Sequence, residues 1–391
     1  MTFTFILASH NVLPGIDDCL AAIRHCARPG DSLVVVDDGS TDGTGEYLDR
    51  LARIGALGLP CRIVLLGAHS CSGPALAFRL GIEQARQIPD SGAIVLVDGG
   101  GQLDPAGFAA ARAHFERYEP DILYANYAVL DPVIAEVLRP QDGAAWGRIH
   151  AAPHAGTEAA RTMALALEPA PWRAIYRSGF LGGMASGVSA GTGRQEDAVF
   201  HWETCLAARS FAFLDRRICF HRAGRAAAGA EASGDGFAAF TRISALLASG
   251  RAFAWEHPFA ADAVVWLLTG LGRELERLEF TRCRVHAEQA CAALGAIPGA
   301  IWALACDRLG AGHPIVPVGN MIRSASPADV AAHWELLALR RETQAALGTL
   351  CDLGERIAGQ SATALRLLQT LSEIERFSAL SEMLPRRKGK T

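Results

Sequence analysis

Val34-Val35-Val36-Asp37-Asp38-Gly39-Ser40-Thr41-Asp42-Gly43-Thr44 is the stretch that decides the fold. It completes Ser32–Asp37, a continuous apolar run of the kind required of a strand buried on both faces of a parallel sheet. Two acids end the run, then a Gly-Ser turn, then Asp42 or Thr44 as N-cap of the next helix. Carboxylates cannot stay unpaired in a dry core, so these leave the sheet at its rim, toward solvent or a ligand. An acid placed there can accept hydrogen bonds from a base N–H or a ribose hydroxyl.

The same alternation continues on both sides. Residues 3–9, 61–66, 93–97 and 121–124 read as strands, and 15–27, 44–54, 75–87 and 106–117 as helices. Alternation at this spacing predicts βαβ units, right-handed crossovers and a mostly parallel sheet with helices on both faces. Ligands bind such sheets at the carboxyl ends of the strands. Here those ends are 9–11, 37–40, 67–73 and 98–101. The pattern weakens over 131–168, which reads as an insertion. A helix over 195–209 and a strand over 211–220 follow.

The stretch 224–236 is rich in Ala and Gly and reads as a linker, after which the signal is helical over 237–249, 258–280, 283–294 and 327–383. The expected organisation is an α/β domain over 1–225, a linker over 226–236 and a helical region over 237–391. Trp255, Trp266, Trp302 and Trp334 are expected in its core. The spaced Leu and Ala of 335–376 predict helix–helix packing, onto the α/β domain or between chains as a homodimer.

Of the 391 residues half are hydrophobic and a fifth charged, with a net charge of −4. That balance suits a globular protein and gives no electrostatic case for nucleic acid. Ten cysteines are scattered without a CxxC pair, which suits a reducing compartment. The first residues enter a strand pattern with no basic leader, so a cytoplasmic location is expected. The uncharged run 289–306 approaches the length of a membrane span, but Gly295, Pro298 and Gly299 break it, predicting two core helices. The basic tail Arg386-Arg387-Lys388-Gly389-Lys390 reads as a solvated terminus, with at most peripheral contact with anionic lipid at the inner face of the membrane.

Several segments in order resemble the family 2 inverting glycosyltransferases of GT-A fold, the Rossmann-like nucleotide-diphospho-sugar transferases. The resemblance covers residues 3 to about 225. It runs through Phe5-Ile6-Leu7-Ala8-Ser9-His10-Asn11, the Asp37-Asp38 stretch, Gly73-Pro74-Ala75-Leu76-Ala77-Phe78-Arg79-Leu80-Gly81-Ile82 and Leu96-Val97-Asp98-Gly99-Gly100-Gly101-Gln102-Leu103-Asp104-Pro105. It continues through Pro171-Trp172-Arg173-Ala174-Ile175-Tyr176 and Gln195-Glu196-Asp197-Ala198-Val199-Phe200. Phe78 and Arg79 depart from the family's Ala-Arg-Asn-x-Gly-Ile.

The resemblance implies a nucleotide-sugar donor and a glycan or lipid-linked acceptor in surface-polymer synthesis. Asp38 would bind the nucleobase, with Ser9, Asn11, Ser40 and Arg79 on the donor side. Asp98 would meet the ribose or a divalent cation, Mn or Mg. Asp197, with Glu196 beside it, would be the general base, a role that direct displacement at the anomeric carbon assigns to one carboxylate. The family's second Asp-x-Asp acid is here Gly100, which offers no side-chain oxygen. Some family members place a metal-binding His about 24 residues after the Asp that matches Asp197, so the resemblance makes His221 a second candidate metal ligand; Arg222 and Arg225 are candidate clamps for the diphosphate. Gly100 also leaves a second reading: a relative that binds nucleotide sugar or a partner protein without turnover.

Overall fold

The computed structural model describes residues 1–67, 73–131, 136–138, 142–146, 154–184, 196–222, 235–310 and 312–383. Ten strands share one sheet: β1 (Thr2–Ser9), β2 (Ser32–Asp37), β3 (Cys61–Leu65), β4 (Ser91–Asp98), β5 (Gln102–Leu103), β6 (Ile122–Asp131), β7 (Glu136–Leu138), β8 (His154–Ala155), β9 (Ala174–Arg177) and β10 (Ser210–Arg222). The order is β3-β2-β1-β4-β9-β6-β10-β5, with β7 beside β6 and β8 beside β10. β1 runs parallel to β2 and β4, β2 to β3, and β6 to β10. β9 lies antiparallel between β4 and β6. The long pairings are parallel, as expected, and the five short ones antiparallel, so the sheet is mixed; β5, β7, β8 and β9 were unforeseen, and β9 joins its two halves.

Helices α1 (Ile16–Cys26), α2 (Thr44–Arg53), α3 (Pro74–Ala85) and α4 (Pro105–Tyr118) follow the first strands. The short α5 (Gly143–Trp146), then α6 (Glu158–Leu165), α7 (Ser178–Met184) and α8 (Glu196–Ala207) complete the α/β region. Alternation along β1 divides the core. Phe3, Phe5 and Leu7 pack with Phe108 and Phe115 of α4, while Ile6 and Ala8 face the opposite layer. That second layer continues without a break into the helical region as far as Trp334.

The helical region holds α9 (Asp235–Ala248), α10 (Ala260–Leu275), α11 (Cys283–Gly295), α12 (Gly299–Leu309), α13 (Ile315–Ser324) and α14 (Pro327–Met383). Of the expected linker, Asp235 and Gly236 open α9, and the rest lies outside the described residues, as does the basic tail. Trp302 and Trp334 are buried; Trp255 and Trp266 pack partly buried against the same core. No single described helix is long and apolar enough to cross a membrane. The pair Phe280–Gly295 and Gly299–Leu309 is so only when taken together, and a 107° bend separates its halves.

Two caps differ from or refine the expectation. The N-cap of α2 is Gly43 at φ 93°, not Asp42 or Thr44. Asp42 is occupied otherwise: Oδ1 accepts from Thr44 N–H (3.0 Å) and Oδ2 from Leu13 N–H (3.0 Å). Asp104 caps α4, accepting from Ala106 and Gly107 N–H.

One buried ion pair pins α4 under the sheet. Arg112 Nη1 and Nη2 meet Asp31 at 2.6 and 2.9 Å, both residues almost fully buried, and Asp31 also accepts from Phe3 N–H (2.8 Å) and Arg28 N–H (2.7 Å). Arg112→Met strands that carboxylate in the core and should cost about 3–5 kcal/mol, read as a lower urea midpoint at unchanged slope.

Candidate active site

The rims of β1 and β2 are sewn together around Asp37. Its carboxylate accepts from Ser9 Oγ (2.9 Å), Ser40 N (3.0 Å) and Ser40 Oγ (2.6 Å). Asn11, at φ 52°, donates its N–H to Ser40 Oγ (2.9 Å) and accepts from Thr41 N–H (2.8 Å) on Oδ1. Ser9 and Ser40 therefore shape the rim by holding Asp37. Asp38, 3 % exposed, accepts from Gly73 N–H (2.7 Å) at the entrance to α3, while its own N–H donates to Ser9 O (2.9 Å). Of the loop it faces, 68–72 lie outside the described residues.

Two strands away, about 10 Å by sheet spacing, Asp98 ends β4. The three glycines after it are not equivalent. A Cβ on Gly99 would lie 2.9 Å from Ala8 O, so backbone packing there requires glycine; one on Gly101 would lie 3.2 Å from Phe220 O, a tight fit. A Cβ on Gly100 would meet only Asp98 Oδ2, at 3.8 Å. There is room at position 100 for a side chain that the sequence does not supply.

His221, near the end of β10, brings Nδ1 to 3.3 Å from Asp98 Oδ2. Its ring stacks on Trp172 (centroids 4.7 Å apart, planes within 8°), and Trp172 meets Tyr127 edge-on. Asp98, Gly101, Gln102, Trp172 and His221 line a shallow cleft here. Trp172 is the residue that sequence reading left without a role. Its signal was a large aromatic just before a strand in a rim segment already singled out.

Asp197 opens α8 beside this cleft. Burial raises its carboxyl to about 7, the Asp98 charge adds to the rise, and His221 opposes it. Its Oδ1 is buried without a hydrogen-bond partner. Burial dominates the helix N-terminus here, which by itself would favour the ionised form. Glu196 behaves differently. It forms an ion pair with Arg242 of α9, so it latches the helical region to α8 and is not free for chemistry.

Arg79 is half-buried on α3, with Nε lacking a hydrogen-bond partner. Arg222 leans over the β1–α1 turn, Nη2 lying 3.5 Å from Asp18 Oδ2. Arg225 and residues 191–195 before α8 lie outside the described residues. The sheet's carboxyl rim thus gathers Asp98, Asp197 and His221 closely, with Asp38 farther along the same edge.

Among the described residues no three His, Cys, Asp or Glu side chains group as a metal site. A pair is present. Ligand atoms cis to one another on an octahedral Mg²⁺ at 2.0–2.1 Å lie about 3 Å apart, close to the Asp98–His221 separation, and such ions take one or two protein ligands plus substrate phosphates. The donor set fits a divalent cation completed by a diphosphate.

A sheet of this order, with acids at its carboxyl rim and a helical region behind it, defines the GT-A class of nucleotide-sugar transferase folds. Residues 4–163 match the sequence model of glycosyl transferase family 2. Among solved structures, S. aureus TarS 1-349 matches at 15 % identity over 88 % of this chain and 92 % of its own, with a TM-score of 0.62. The structure of TarS 1-349 in complex with UDP-GlcNAc matches at 16 % identity over the same shares, with a TM-score of 0.60. A further TarS structure matches at 14 % identity over 86 % of this chain and 55 % of its own, with a TM-score of 0.60. At these identities the likeness is one of fold. No curated protein matches the chain in sequence.

Proposed function

We propose that the protein is an inverting glycosyltransferase that moves a sugar from a nucleoside diphosphate to a hydroxyl of a glycan or lipid-linked acceptor. The observation that carries the reading is Asp197, a carboxyl held near 7 beside the cleft with an oxygen that no group among the described residues satisfies. An acceptor hydroxyl would supply the missing donor. As its oxygen bonds to the anomeric carbon, the carbon–diphosphate bond breaks on the opposite face and the hydroxyl proton passes to Asp197. Nucleoside diphosphate leaves with the bonding pair.

Asp98 and His221 would hold a divalent cation, Mn or Mg, that neutralises charge on the departing diphosphate. Asp38 would take the nucleobase. Arg79 and Arg222 supply further positive charge on the donor side. The bound UDP-GlcNAc of TarS, a protein of like fold, makes that sugar nucleotide the first donor to test. A cytoplasmic setting, with the acceptor at the inner membrane face, belongs to the same proposal.

Because Asp197 acts ionised, kcat/KM should rise with pH and level off above its midpoint, about 7 without a cation and lower once a cation neutralises Asp98. The check is a pH series of UDP release in the presence of acceptor, from about pH 4.5 to 8.5. A rate flat over that whole range would remove Asp197 from the mechanism.

The second reading, donor binding without turnover, is favoured by the bare position 100 alone. Gly100→Asp tests it, since the site has room for the side chain. An added carboxylate should tighten Mn²⁺ binding by about tenfold or more, read by calorimetry. If turnover appears only in that variant, the natural chain is the non-catalytic binder.

A further inference from the structure

We infer that α14 pairs with α14 of a second copy of this chain, through an apolar stripe that the protein's own fold leaves uncovered. The helix carries two apolar faces. Val330, Ala331, Trp334 and Ala338 are buried, and α14 packs on α11. A second set begins beside that contact and runs past it: Leu336, Leu339, Leu347, Leu350, Leu353 and Ile357, exposed by 49–66 %.

Leu336, Leu350 and Ile357 are multiples of seven apart, and Leu339 and Leu353 lie three residues beyond Leu336 and Leu350. That is an a/d register of period 3.5, with the smaller Thr343 and Ala346 at its intervening positions and Leu347 on its flank. A stripe two positions wide in seven is the footprint of one partner helix.

Energetics argue the same way. Arg341 Nη2 donates to Leu278 O, and every described side chain from Glu342 to Ala358 is exposed. Beyond this anchor about 40 residues continue as helix, some 60 Å at 1.5 Å per residue. Gly348 and Gly354 lie in this span with open space around their Cβ positions, so no packing explains them. Each costs about 1 kcal/mol in a solvated helix, and a lone helix is marginal in water. An α14 left by itself would fray.

The occupant is a second copy because the flanks of the stripe suit like meeting like. Arg340, Leu347 and Gly354 border it on one side and Glu342, Thr349 and Arg356 on the other, so in a parallel pair Glu342 meets Leu347 and Thr349 meets Gly354 of the second copy, and no like charges face each other. Asp352 and Glu355 face away from the seam, which keeps the outer side wet.

The test is sedimentation equilibrium of the full chain from about 1 to 50 μM, beside Leu350→Glu/Ile357→Glu. These side chains support no part of the folded body, so donor turnover per chain should stay as in the parent. The parent is expected to sediment at twice its monomer mass. The variant is expected to be monomeric, with association weakened at least 100-fold and a helical circular-dichroism signal that drops. A parent that stays monomeric across the range overturns the inference, including one that binds anionic vesicles by this helix instead. So does a dimer that the double variant leaves intact. Neither result bears on the glycosyl-transfer reading, which is measured at the other end of the molecule.

Discussion

Asp197→Asn is expected to lower kcat by about 10²–10⁴-fold while leaving the donor's binding constant within a few-fold. The substitution keeps the shape of the side chain and removes its capacity to accept a proton. Nothing else described at the cleft can take over. Glu196 is tied to Arg242, and Asp98 faces His221. A stability measurement separates a chemical loss from a folding defect. The folded carboxyl sits at about 7 against 3.8 when free, so the native state holds its proton more tightly than the unfolded chain does. Native stability from this group therefore falls as pH rises from about 4 to 7, then levels off. Asparagine carries no such penalty, so the variant should melt above the parent at pH 8. An Asp197→Asn protein with parental kcat, or one that melts lower at pH 8, would dispose of the assignment.

The parallel half of the fold was legible because β2 and β4 are buried on both faces and so read as unbroken apolar runs, each followed by a helix of matching period. β9 was not legible. Four residues, Ala174–Arg177, are too few for a period, and their place between β4 and β6 is set by pairing with strands distant in sequence. The site divides the same way. Asp98, Asp197 and His221 were singled out through the family resemblance, since a strand-end His or a helix-start Asp alone reads as a surface residue or a cap. Their mutual approach depends on β10 lying across the rim, which local sequence does not encode. Ser9 and Ser40 stood as donor contacts through the resemblance alone. The buried Asp37 takes up their hydroxyls first, since an unpaired carboxylate there costs more than an unfilled pocket. The three glycines show the limit most plainly. In sequence they are one motif; in space Gly99 is demanded by a neighbouring carbonyl, Gly101 sits tightly against another, and the middle one is demanded by nothing.

Asp98→Asn should cut kcat by about 10²–10³-fold, through loss of a charge aimed at the departing diphosphate. It should also move the Asp197 titration downward. Asp98 raises that carboxyl and His221 lowers it, so deleting the two neighbours has opposite signs. In Asp98→Asn the like charge is gone and Asp197 ionises at lower pH. In His221→Ala the compensating positive charge is gone and it ionises at higher pH. ¹³C NMR titration of the Asp197 carboxyl, in protein stripped with chelator, reads both shifts without any added cation. Burial, the largest cause of the rise, remains in each variant, so both midpoints should stay well above 3.8. Movement of the two in the same direction would mean that these side chains do not share one electrostatic site, and the displacement chemistry assigned to the rim would lose its basis.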